Sequence, residues 1–445
     1  MDSDASPAAE DHPAKRARIT LSEHHDWAMV DGFLRPPRGD DLNCASKGES
    51  LVVGFRAVAP PKTSHIFFTL HPANKEGPSS SPHYSEVLAS DAKAVAAHRD
   101  AVLLRFVIRG DPAAHSTDDC SDDDEEFSPS RSTDDASDDE GFLPSIREEF
   151  IVYKASPLSL ISLPTCGHSF VNTRANNMGI LCRNDEEFVV AHLRVTPKRH
   201  DDAGRSECLV TAELCSRLGK DKDGPWRTVK DVPIRCAEGK GEELCWWETD
   251  AVVPFGQYLC WVDYLRGILF CDVFSPCPEL KYVPLPVDPY KGRINRHFGG
   301  RGPLSAFRSV CVTGDGGALK FVDVASSRCW FYGRPPHRGN SAIRSWTLST
   351  DSFLEFPLVD SKDPHKIYFA LREETCLYGK TNLVAVNMLS NKLASLTPYT
   401  FGSFEDCEGD DMDKFTASCN LCYNEPFLPC EFSKYLDLDV PDTKS

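Results

Sequence analysis

Residues 255–286 read F-G-Q-Y-L-C-W-V-D-Y-L-R-G-I-L-F-C-D-V-F-S-P-C-P-E-L-K-Y-V-P-L-P, and this stretch decides the fold class. It spells three strands and two turns, with no room for a helix. Residues 258–262 are aromatic and β-rich. Residues 263–267 supply turn chemistry, with Gly267 free to take a positive φ. Residues 268–274 are apolar at nearly every position, the pattern of a strand buried on both faces. Two prolines mark the second turn at 275–279, and Pro284 and Pro286 end a third strand at 280–285.

The same grammar recurs downstream. Ile268 to Val273, Leu319 to Val324 and Leu383 to Met388 each run as mostly apolar residues, then Asp272, Asp323 or Asn387, then an apolar residue. A turn and another apolar or aromatic segment follow each. Spacings of 51 and 64 residues, a period near 50 with several short strands per unit, predict an all-β chain of β-propeller type. Upstream, residues 51–58, 65–70, 101–108, 149–154, 158–163, 179–182 and 187–195 also read as strands. The best helical window is 90–98, with Ser90 as its cap.

The 445 residues are 41% hydrophobic and 10% aromatic, enough for a sizeable core. The 32 prolines and 28 glycines fall between short apolar runs, which favours strands over helices. No apolar run is long enough to span a membrane, and the acidic start M-D-S-D-A-S-P reads as neither a secretory nor a transit signal. The expected organisation is a disordered tail at 1–25, an N-terminal β segment at 26–109, an acidic insertion at 110–145, a propeller-like body at 146–405 and a cysteine-containing end at 406–445.

Net charge is −18, of which residues 118–140 carry −11, leaving −7 for everything else. The insertion is too polar to offset chain entropy and is expected to be disordered. A mildly acidic body makes nucleic acid an unfavoured partner. The 18 cysteines are too sparse for a disulfide scaffold and are expected to be reduced, mostly buried thiols.

W-W-E-T-D-A-V-V-P-F-G-Q-Y-L-C-W-V-D-Y-L-R-G-I-L-F-C-D-V-F, followed by P-E-L-K-Y-V-P-L-P, resembles the core of a plant family, domain of unknown function 1618, abundant in grasses. F-R-S-V-C-V-T-G-D-G-G-A-L-K-F-V-D-V, R-S-W-T-L, I-Y-F-A-L and L-V-A-V-N-M keep that family's order, so the resemblance spans about residues 149–400. The family is similar to the propeller-like domains that follow F-boxes, although residues 1–50 here do not resemble an F-box. The resemblance implies a β architecture and no particular activity.

Candidate sites are few. Lys15, Arg16 and Arg18 form a short basic cluster, either a nuclear-localisation signal or a solvated tail. Cys419 and Cys422 make a C-x-x-C, and with Cys407 and Cys430 they could hold zinc. Without a second C-x-x-C, free thiols are the simpler reading. The loop Lys291, Arg293, Arg296 and Arg301 could contact phosphate, an acidic partner or the chain's own acidic insertion; as a plain reading it is a surface connection. G-H-S-F-V at 167–171 lacks the second glycine of a nucleophile elbow. Asp263 and Asp272 could pair as catalytic carboxylates, but strand-end aspartates more simply cap turns. No catalytic residue and no cofactor is assigned. The reading is a non-enzymatic platform for an unknown protein partner, in nucleus or cytoplasm, away from membranes and of undetermined oligomeric state. The alternatives are a hydrolase or lyase at a propeller channel and weak nucleic-acid binding through 291–301.

Overall fold

The computed structural model describes residues 26–35, 45–47, 51–70, 86–87, 92–109, 146–164, 177–197, 210–219, 224–236, 241–287, 304–313, 317–324, 352–373, 381–390, 392–399 and 427–435. The fold is nearly all β. Five sheets of four or five strands stand as the blades of a β-propeller.

Blade 1 begins with β1 (Ala28–Val30), β2 (Ala45–Lys47), β3 (Leu51–Arg56) and β4 (Thr63–Leu70). Blade 2 holds β5 (Glu86–Val87), β6 (Lys93–His98), β7 (Ala101–Arg109), β8 (Ile146–Ala155) and β9 (Leu158–Leu163). Blade 3 holds β10 (Met178–Cys182), β11 (Phe188–Pro197), β12 (Val210–Leu218) and β13 (Arg227–Val229). Blade 4 holds β14 (Ile234–Arg235), β15 (Ala251–Phe255), β16 (Tyr258–Asp263), β17 (Gly267–Cys271) and β18 (Leu280–Pro284). A two-stranded sheet, β19 (Arg308–Val312) with β20 (Leu319–Asp323), precedes blade 5, which holds β21 (Ser352–Val359), β22 (Lys366–Glu373), β23 (Thr381–Asn387) and β24 (Lys392–Tyr399). The last strand, β25 (Leu428–Cys430), returns to blade 1.

That return closes the ring. β25 pairs antiparallel with β1, with Ala28 opposite Cys430 and Val30 opposite Leu428. One edge strand of each sheet lies inward: β25 neighbours β6, β6 neighbours β10, β10 neighbours β15, β15 neighbours β19 and β19 neighbours β21. The two-stranded sheet therefore takes its own place between blades 4 and 5. Blade 5 meets blade 1 where the Trp27 and Tyr368 rings pack in a tilted contact with centroids 5.9 Å apart.

Side chains of each blade alternate toward its two neighbours, so the core is a series of inter-blade layers. Leu181, Val189, Leu259, Trp261 and Leu269 fill the layer between blades 3 and 4. Met178, Ile180, Val152 and Leu103 fill the one between blades 2 and 3.

The opening stretch supplies β16, β17 and β18, as its reading expects, with two adjustments. β17 ends at Cys271, because Asp272 turns the chain by accepting the Phe274 N–H at 3.1 Å. Gly267 is not among the glycines with positive φ. A Cβ there would lie 2.4 Å from the Tyr282 ring and 2.5 Å from the Val283 carbonyl oxygen, so close approach of β18 is what requires glycine.

The helix expected at 90–98 is instead the strand β6. Its alanines favour helix locally, but paired to β7 they give the innermost strand of blade 2 the small side chains that close blade packing needs. The repeat reading is also corrected in part. Asp272 directly follows β17 and Asn387 ends β23, both strands of full blades, whereas Asp323 ends the second strand of the two-stranded sheet.

Candidate functional site

Because neighbouring strands in each blade are antiparallel, successive connections alternate between the two ends of the ring. On one face the connections are short: 99–100, 156–157, 183–187, 256–257, 272–279, 360–365 and 388–391. The strand ends on either side of 110–145, 198–209 and 374–380 within blades, and of 164–177, 285–307, 324–351 and 400–427 between them, open on the other. The links at 264–266 in blade 4 and 374–380 in blade 5 are exceptions, no longer than the 272–279 turn opposite.

The tight-turn face is stapled around most of the ring. Arg99 of blade 2 pairs with Asp185 of blade 3 at 3.1 Å. The buried Lys154 ammonium sits 2.8 Å from Asp100 and donates to the Asp185 carbonyl oxygen at 2.5 Å. Arg183 lies 4.0 Å over the Phe274 ring, and Arg227 donates to the carbonyl oxygens of Ser275 and Pro276, joining blades 3 and 4. Lys320 donates to the Pro364 carbonyl oxygen, Lys362 pairs with Asp26, and Arg99 lies over Tyr435. Exposed pairs are worth about 0–1 kcal/mol each, but as a belt they fix neighbouring blades in register.

The long-connection face is anchored by the W-V-D-Y-L-R-G motif. Asp263, wholly buried, accepts the Leu265 N–H at 2.9 Å, the Glu248 N–H at 3.0 Å and the Arg266 guanidinium at 2.8 Å. Asp250 accepts the Tyr264 N–H at 2.7 Å. Arg308 donates to the Tyr264 carbonyl oxygen and to Asp323 at 3.0 Å, tying blade 4 to the two-stranded sheet. Asp263 and Asp272 thus end opposite ends of β17 and cap separate turns; the structure does not bring them together as a carboxylate pair. Asn387 acts as Asp272 does, accepting the N–H groups of Leu389 and Ser390 at 3.0 Å each.

Burial holds several of the described thiols in their protonated form. Burial pushes the Cys182 thiol up to about 12, with Asp100 adding to the effect. His98 stands beside it, but His98 Nδ1 accepts the Cys182 backbone N–H at 2.9 Å and the thiol donates to the His98 carbonyl oxygen at 3.3 Å. This pair does not have the hydrogen bond of a nucleophile to its base. Burial pushes Cys271 and Cys430 up to about 12 as well. Eight described cysteines are free thiols, while Cys245 is disulfide-bonded, a departure from the expectation of reduced thiols throughout. Among the described residues no three His, Cys, Asp or Glu side chains are placed to share a metal ion.

Of the sequence candidates, Cys430 lies in β25 within the core of blades 1 and 2, beside Phe432. Cys407, Cys419 and Cys422 lie outside the described residues, as do Lys15, Arg16 and Arg18, and Lys291, Arg293, Arg296 and Arg301.

One polar cluster has no local signal in the sequence, because its members span residues 31 to 399. Asp31 accepts Arg35 at 2.6 Å, the Tyr399 hydroxyl at 3.0 Å and the Phe33 N–H at 3.1 Å, with His65 Nδ1 3.7 Å away. It joins blade 5 to blade 1 and is a staple of the same kind as Arg308–Asp323.

Residues 261–363 match the family model DUF1618, protein of unknown function, which supports the resemblance over that stretch. No curated protein matches the chain. Among solved structures it is similar to a functionally unknown protein from Desulfotomaculum acetoxidans DSM 771 at 9% identity and a TM-score of 0.25, over 86% of this chain and 90% of that one; at that score the likeness carries no argument.

Proposed function

We propose that this protein is a non-enzymatic protein-interaction platform of the nucleus or cytoplasm, belonging over its whole β body to the plant domain-of-unknown-function family and akin to the propeller-like domains that follow F-boxes. The observation that carries this reading is the asymmetry of the ring. One face is built of short turns cross-linked blade to blade, and the other gathers nearly all the long connections. A rigid ring that collects long connections on one side is built to present them to a partner. The capping roles of the strand-end carboxylates agree with it.

The test is site-specific photo-crosslinking in plant cells. A photoreactive residue replaces Pro197 or Pro286 at the long-connection face, or Gln257 or Leu389 at the tight-turn face. Adducts to one recurring polypeptide, formed from the first pair and not the second, are the expected result. Equal adducts from both faces, or none from either, contradict the reading.

A further inference from the structure

Three buried side-chain atoms between blade 5 and blade 1 have no hydrogen-bond partner among the described residues: Thr63 Oγ1, His65 Nδ1 and Ser395 Oγ. The strand registers put all three in one layer. Thr63 stands beside Met29 on β4, and His65, two residues on, shares its face. Met29 packs in one core cluster with Tyr368 of blade 5, and Asp31, 3.7 Å from His65, accepts the Tyr399 hydroxyl. This face of blade 1 therefore looks at blade 5. On blade 5, Ser395 stands opposite Ala385 and Ala385 opposite Tyr368, whose ring packs on Trp27. That face looks back at blade 1, and Ala385 and Ser395 give it short side chains. Leaving buried polar atoms unpaired is costly, and Thr63 is only 7% exposed, so three such atoms in one layer call for an occupant that pairs with them.

We propose that this layer binds a small monocarboxylate, with the Thr63 and Ser395 hydroxyls and the His65 Nδ1–H donating to its two oxygens. Each of these groups can donate to a carboxylate, and such charge-assisted bonds are strong where water is excluded. The surrounding charges favour an added anion. Burial first, then the Arg35 charge, lowers the His65 pKa to about 4; Asp31 acts against them and Arg56 with them. Arg56 stands directly opposite His65 on β3, and Arg35 holds Asp31 at 2.6 Å. The Asp31 carboxylate, so close to His65, limits how much negative charge the layer accepts, which disfavours a dianion such as phosphate. Arg35 and His65 keep 18% and 19% of their side chains exposed, an access route suited to a small molecule rather than to a polypeptide.

The test is saturation-transfer NMR of acetate titrated against the full chain near neutral pH, at constant ionic strength in sodium chloride, with thermal unfolding alongside. One saturable acetate site is expected, and saturating acetate should raise the unfolding midpoint. Thr63→Val with Ser395→Ala should weaken acetate binding at least about tenfold, because two charge-assisted donors are lost. The same variant should leave the midpoint of the acetate-free protein unchanged or raised, since neither hydroxyl has a partner there to lose. A purely structural role for the hydroxyls predicts a lower midpoint instead, and that result overturns the proposal. So does a double variant that binds acetate as the unaltered chain does, or inorganic phosphate that displaces acetate at equal concentration. Absence of a saturable acetate site also overturns it and makes ordered water the occupant. If the double variant fails to fold, Ser395→Ala alone is read by the same criteria.

Discussion

Gly267 is the residue at which backbone and packing meet most closely. Its α-carbon faces the Tyr282 ring and the Val283 carbonyl oxygen, and both sit where a Cβ would go. Gly267→Ala should therefore cost about 1–3 kcal/mol or more in urea unfolding, since a backbone oxygen cannot move aside as a flexible side chain can. Gly256 is the opposite case. It has φ +57° with nothing within 4 Å, so conformation alone requires it, and Gly256→Asn should be nearly neutral. His98 sets a pH response. Burial, then the Arg99 charge, lowers its pKa from 6.5 to about 4, and burial followed by Arg35 does the same to His65. Between pH 6.5 and 4 the unfolded chain binds protons that the folded chain excludes. Stability is then complete above pH 6.5 and declines as pH falls through that window, by up to about 3 kcal/mol per histidine. His98→Asn, whose Oδ1 can replace Nδ1 as acceptor for Cys182, should flatten that decline by about one proton's worth. An unchanged slope of stability against pH would assign the decline to other groups.

At the scale of strands, what local sequence shows depends on whether the decisive partner is near in the chain. The meander β16–β17–β18 is legible because its strands are neighbours and its turns carry Asp, Gly and Pro. Capping by Asp272 and Asn387 is legible for the same reason. Asn387→Ala removes the acceptor for two N–H groups at the β23–β24 turn and should lower stability by about 1 kcal/mol in thermal unfolding, while an Asp there should restore most of it. The alanine-rich β6 was not legible, because its strand character comes from pairing with β7 and from its inner position, against its own propensity. Asp323 was misplaced by pattern alone. Its role comes from Arg308 on the neighbouring strand, which the repeat does not encode. The staple of Asp31 with Tyr399 is beyond local reading altogether, since they stand 368 positions apart in the chain.

For the whole molecule, the propeller class follows from a count of short strands and turns, but closure does not. Nothing near Ala28 announces that Cys430 stands opposite it. The pairing matters because it converts a row of blades into a ring, and the ring is what holds one face rigid and gathers the long connections on the other. Few of the long-range contacts are individually strong, so stability should be cooperative and should fail as a unit when the ring opens. The most direct measurement is thermal unfolding, followed by near-ultraviolet circular dichroism, of a chain ending at residue 426 against one ending at residue 435. The first lacks β25 and Phe432, whose ring packs 4.6 Å from Tyr153 and 5.2 Å from Phe55. The shorter chain is predicted to lose its cooperative transition and most of its aromatic signal, and the longer one to keep the transition of the full chain. A chain ending at 426 that unfolds cooperatively at the same temperature would contradict a ring closed by its first and last strands.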